Sequence, residues 1–270
     1  MKCWICNKNE ANSREHKFKA SILKKTYGKK YDKDEMLYGN TDSIYEIESF
    51  KSDFLKFPKV ICSECNNELT KSHDDSFDIF INYIDTSGVD LSKGNIDFEK
   101  VYGTNWIQEK RNLYRYFAKH AGCKIVIGST KYDVNDLAEF IRGKDNTTSL
   151  KIHFQYKEGI KKIIDSIEEK IVNLYNGETI YFGENENCLN YAGWASHNFI
   201  STVWVVSPFL EPAKQIEFDK KVEDVEFNSF HNCDSFSDVQ TIREYFDIIE
   251  HSGLNTLQER LELYKNIIEK

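Results

Sequence analysis

The sequence predicts an α+β protein made of a small N-terminal module and a larger second region. Three observations carry this. Two CxxC pairs, Cys3 with Cys6 and Cys62 with Cys65, enclose the first stretch of chain and mark it as one stapled unit. Apolar side chains recur at helical spacing in several windows, with short alternating or β-branched runs between them. A stretch rich in Gly, Ser and Asp, residues 85–104, reads as a linker between a domain at 1–84 and an α+β region at 105–270 of undetermined topology.

Each element has its own reason. Residues 1–16 are expected to form a knuckle and an extended segment that ends at Glu15-His16. Residues 17–27 place Phe18, Ile22 and Leu23 on one side and lysines on the other, which predicts a short basic helix stopped by Gly28. Gly39-Asn40 marks a hairpin turn. Residues 54–61 read as a strand limited by Pro58. A helix over 66–84 follows from Leu69, Phe77, Phe80, Ile81 and Ile84.

Beyond the linker, residues 105–121 read as a helix ending at Gly122, and Lys124–Ser129 as a strand. Helices are expected over 133–142 and 158–175, and strands over 150–156, 178–183, 199–206 and 215–218. Two helices, 238–249 and 255–268, close the chain.

The formal charge of −8 hides an asymmetry: residues 1–71 sum to +3 and residues 72–270 to −11. Polyanion binding follows local potential, so the first module is the better candidate for it. No apolar run reaches the roughly 18 residues of a membrane span, so no membrane partner is expected. The opening MKCWICNKNE is too polar for a signal peptide. Seven cysteines, an odd number, argue against a disulfide framework and for a reducing, cytoplasmic setting.

Paired CxxC turns each present two thiolates. Four thiolates complete a closed tetrahedral shell, so Cys3, Cys6, Cys62 and Cys65 are expected to hold a structural Zn²⁺. A closed shell leaves no open position, and any catalysis then needs other residues. Glu15-His16 between the knuckles and Asn66 directly after Cys65 supply them. In this pattern the chain resembles the HNH, or ββα-metal, endonuclease family in its branch with paired CxxC knuckles, over residues 1–84. The fuller run of Glu15-His16-Lys17, the second knuckle with Asn66-Asn67, and His73-Asp74-Asp75 is similar to bacterial HNH-like proteins, some placed in phage defence.

The resemblance implies a ββα-metal fold for the module and a hydrolase acting on phosphodiester bonds, with DNA expected ahead of RNA. Hydrolysis needs a base for the attacking water and positive charge at the phosphate. His16, with an ordinary pKa near 6.5, suits the base. Glu15 and Asn66 offer hard oxygens to a catalytic Mg²⁺ or Mn²⁺, and His73 or Asp74 could complete its shell or touch phosphate. Arg14, Lys17, Lys19, Lys24, Lys25, Lys29 and Lys30 crowd the same stretch and are expected to meet the nucleic-acid backbone. Tyr27 and Tyr31 could stack on bases.

Residues 105–270 carry no comparable motif. Arg111, Arg115 and Lys119 form a stripe on the first helix that could face DNA, solvent or the first module. Sensing a ligand, pairing two copies of the chain, or restraining the nuclease are the roles open to this half. The competing reading is a non-catalytic zinc module that binds nucleic acid or protein.

Overall fold

In the computed structural model the described residues are 1–32, 36–39, 44–86, 94–128, 134–144, 148–157, 161, 174–177, 179–182, 190–207 and 218–227. Helix α1 (Ala20–Tyr27) forms as expected and ends at Gly28, whose φ of 80° suits glycine and whose N–H donates to the Lys24 carbonyl. Leu23 packs with Phe18, Tyr31, Met36, Ile47 and Leu55 in a small satellite core. Strands β1 (Leu37–Gly39) and β2 (Ile44–Glu46) form the expected antiparallel hairpin. The turn itself, residues 40–43, lies outside the described residues.

The strand expected over 54–61 does not form. Asp53–Leu55 makes one 3₁₀ turn, and pairing with the Glu15-His16 segment shrinks to two isolated bridges, Ser13 with Ile61 and His16 with Lys56. Pro58 has no N–H to donate, so a continuous ladder cannot run through it. The helix expected over 66–84 opens as a π-helical turn, Cys65–Leu69, before α2 (Lys71–Thr86). The wider turn shifts the helical phase, which leaves Leu69 37% exposed although the periodicity had counted it as buried.

Residues 94–104 of the expected linker carry strand β3 (Asn95–Asp97) and helix α3 (Phe98–Tyr102), capped by the Asp97 side chain. Residues 87–93 lie outside the described residues. Ile96 and Phe98 are fully buried in a core that also contains Cys3, Ile5, Phe80, Phe117 and Phe154. The N-terminal knuckle and the second region therefore share one apolar interior.

Helix α4 (Trp106–Gly128) is longer than expected and overturns two readings. It does not stop at Gly122, and Lys124–Gly128 is its last turn and not a strand. Gly122 is there for packing. A Cβ at that position would lie 2.2 Å from the Trp4 ring, so the first knuckle's indole rests directly on the helix. Gly122→Ala is expected to lower stability by about 1–3 kcal/mol, because ring displacement outweighs the ~1 kcal/mol that alanine gains in a free helix. A thermal melt checks this; an unchanged or raised midpoint would show that Trp4 does not sit there.

Helix α5 (Asn135–Ile141) packs on α4. Seven strands then form one mixed sheet in the order β3, β9, β4, β8, β7, β5, with β6 also on β7. These are β4 (Leu150–Tyr156), β5 (Leu174–Asn176), β6 (Ile180–Phe182), β7 (Asn190–His197), β8 (Ile200–Val206) and β9 (Val222–Phe227). Only β4 and β9 run parallel among these pairs. Strands β3, β5, β7 and β9 are not among the expected strands. Strand β7 hides its alternation behind small residues, and Gly193 is needed because Trp204 of β8 crosses it, 2.3 Å from where a Cβ would be. The helix expected over 158–175 ends too late, since Leu174–Asn176 is strand. Residues 158–160 and 162–173 lie outside the described residues, as do 215–217, 238–249 and 255–268.

Candidate functional site

The four cysteines meet. Among the described residues, Cys3, Cys6, Cys62 and Cys65 are the one group of three or more His, Cys, Asp or Glu side chains whose ligand atoms all lie within 4.8 Å of one another. Tight turns present them: the Asn7 N–H donates to the Cys3 carbonyl at 2.8 Å and the Asn66 N–H to the Cys62 carbonyl at 3.0 Å. The Cys6 and Cys62 sulfurs are 3.9 Å apart, close to the about 3.8 Å edge of a tetrahedron with about 2.3 Å bonds. Burial drives the Cys3 thiol up, and burial with the neighbouring sulfurs drives Cys65 far up. Four sulfurs placed this closely could hold a divalent cation, and the donor set fits zinc.

The frame joins the two halves of the motif. Asn66 Nδ2 donates to Ser13 Oγ at 3.0 Å and to the Arg14 carbonyl at 3.4 Å, so the residue after Cys65 is tied to the segment that carries Glu15 and His16. Its Oδ1 is buried with no hydrogen-bond partner among the described residues. His16 is half-buried, and its Nε2 lies 3.1 Å from the Phe50 carbonyl. A carbonyl only accepts, so Nε2 carries the proton and Nδ1 is the basic nitrogen. Burial lowers the His16 pKa, against the opposing pull of Glu15, and the charges of Lys56 and Lys24 lower it further. The imidazole is thus held neutral near pH 7.

Glu15 has a different environment. It is 7% exposed, with Lys119 Nζ at 3.1 Å and His120 Nε2 at 3.4 Å, both from α4. Burial would raise its pKa, but Lys119 and His120 outweigh that and bring it to about 2. Asp74 meets the same ammonium at 2.8 Å and Lys19 at 3.3 Å. Two of the expected ligands therefore do converge, on a lysine. His73 is buried nearby, its Nδ1 unpaired among the described residues and its pKa pushed to about 3 by burial and by Arg115 and Lys119. It is a neutral interior side chain out of reach of a phosphate in solution.

Lys119 and His120 are the residues that the motif did not include. Lys119 stood in the stripe with Arg111 and Arg115. Its position within the apolar run Tyr116-Phe117-Ala118, ahead of Ala121, was the available signal that it faces inward. Arg115 turns to the Phe140 carbonyl at 2.9 Å, and Arg111 lies over the Phe218 ring, so the stripe does not act as one face.

The basic cluster divides. Lys24, Lys25, Lys29 and Lys30 are exposed. Arg14 pairs with Asp53, Lys17 donates to the Tyr38 hydroxyl at 3.0 Å, and Lys19 is held by Asp74. Tyr31 is 8% exposed and belongs to the satellite core, which removes it as a stacking platform. Phe54 is 42% exposed and stacks on Tyr45 with ring centres 4.2 Å apart.

A second concave feature lies between α1, α2, α4 and the sheet. It is a cavity of about 50 Å³ whose lining includes Lys124, His197, Thr202 and Trp204. Burial pulls the Lys124 pKa down to about 7, and its Nζ donates to the Gly177 carbonyl at 2.6 Å. No helix among the described residues is long and apolar enough to cross a membrane. Comparison with protein-family models, curated proteins and solved structures finds no match for this chain.

Proposed function

We propose that the chain is a zinc-stapled hydrolase of the HNH type that cleaves phosphodiester bonds in nucleic acid, DNA ahead of RNA, with His16 as the general base. One observation supports this most: the Nε2–H of His16 is anchored on a backbone carbonyl beside a cation-rich surface. That anchoring leaves Nδ1 as a neutral acceptor for a proton from water. The order of extended segment, bridged extended segment and α2, joined through Asn66, is the order a ββα site requires. Exposed Lys24, Lys25, Lys29 and Lys30 would hold the phosphate backbone. Cytoplasmic action and a role in phage defence belong to the same reading.

A catalytic Mg²⁺ or Mn²⁺ does not fit at Glu15 in this arrangement, because the carboxylate is already neutralised by Lys119. The base role of His16 does not depend on that ion. His16→Ala is expected to lower plasmid nicking by about 100-fold or more, the usual worth of a positioned base. Equal nicking by wild type and variant would remove His16 from the reaction. The second reading, a zinc module that binds without cleaving, is favoured by the same Glu15–Lys119 pair. It predicts salt-sensitive nucleic-acid binding with no cleavage under any divalent metal.

A further inference from the structure

The side chain of Lys119 is fully buried, an expensive place for an ammonium unless its charge is matched. It is matched closely. Glu15 Oε2 lies at 3.1 Å, Asp74 Oδ1 at 2.8 Å and Thr70 Oγ1 at 3.3 Å, so three oxygens from two separate segments surround one nitrogen. Those segments are the strand-like run after the first knuckle and the helix after the second. They are the two places from which the motif would recruit hard oxygen ligands. The cation that they receive comes from α4, in the second region of the same chain.

We infer that Lys119 is the resident cation of the Glu15–Asp74 site and occupies the place that a divalent metal would otherwise take. The ammonium fills the space between the two carboxylates and already supplies positive charge to both, so a divalent ion would have to displace it to bind the same oxygens. Helix α4 cannot withdraw Lys119 easily either. Trp4 is wedged on Gly122 one turn away, and Lys110 at the other end is fixed by Glu223 at 2.6 Å. The site is therefore permanently supplied with its cation. Any divalent ion at the phosphate has to bind elsewhere; of the motif's oxygens, Oδ1 of Asn66 is buried without a hydrogen-bond partner among the described residues. The inference rests on the hydrolase reading only in naming the site as one expected to hold a metal.

Mn²⁺ binding to the zinc-loaded chain tests this without reference to cleavage. Wild type is expected to show no saturable Mn²⁺ site that Glu15→Gln removes. Lys119→Ala opens the pocket and is expected to gain about one Mn²⁺ per chain, as two carboxylates and a hydroxyl suit a hard divalent ion. Its melting temperature should rise on adding Mn²⁺, and both effects should vanish when Glu15→Gln or Asp74→Asn is added. A folded Lys119→Ala protein that ignores Mn²⁺ overturns the inference. If Lys119→Ala does not fold, the wild-type titration decides alone: a site lost in Glu15→Gln overturns the inference, and none supports it. Loss of nicking in His16→Ala bears on the hydrolase reading and leaves this result untouched.

Discussion

Removing the zinc is expected to have the largest effect of any single change. A purified chain should carry about one zinc, and Cys62→Ser should lose it, because three thiolates and a hydroxyl bind far more weakly than four thiolates. Structural zinc contributes on the order of 10 kcal/mol of coupled binding and folding in small modules. Here the loss should not stay local. Cys3, Cys62 and Cys65 belong to the same apolar interior as Phe80, Leu113 and Phe154, and Trp4 rests on α4. Chelation under reducing conditions should therefore lower the main unfolding transition and not merely melt a separate N-terminal step. Two transitions, with only the first sensitive to chelator, would show that the module and the sheet are independent.

Glu15→Gln is the second. The carboxylate is buried and ionised with a pKa of about 2, against about 4.3 in an unfolded chain, which corresponds to about 3 kcal/mol at neutral pH. The sign follows from linkage. A depressed folded-state pKa means that the unfolded chain binds the proton more readily, so this stabilisation is complete above about pH 4.3 and is lost as pH falls through about 2. Wild type should thus melt roughly 5–10 °C above Glu15→Gln at pH 7, a gap that narrows under acid. Acid also displaces zinc from thiolates, but it does so in both proteins and drops out of the difference. A gap that is absent at pH 7, or constant down to low pH, would mean that the Glu15–Lys119 pair does not form. The pair also makes Glu15 a part of the fold whether or not the chain cleaves a phosphodiester.

The Glu15 result separates what a motif can and cannot say. Spacing identified the four thiols because a tetrahedral shell needs only two tight turns brought together, and a CxxC turn is local. The same spacing brought Asn66 beside the Glu15-His16 segment, since both are anchored on that shell. It could not say which charge would face Glu15. Lys119 is more than a hundred residues away and approaches along a helix that reads as part of another domain. Its charge was visible, but its inward aim depended on α4 packing against α2.

The errors in secondary structure have similar causes. Gly122 looked like a helix stop because glycine usually serves that way; contact with Trp4, which the sequence places at the far end of the chain, gave it another use. Leu69 was counted as buried because a regular period was assumed, and one π-helical turn shifted it. Strand β7 carries small residues where Trp204 crosses over, so its alternation was concealed by its partner. The sequence by itself determined the pairing of the four clustered cysteines, the basic helix α1 and most of the regular elements, because each depends on spacing within a short window. Only the tertiary structure decided the continuous core, the sheet order and the cation facing Glu15, because those depend on which distant surfaces exclude water together.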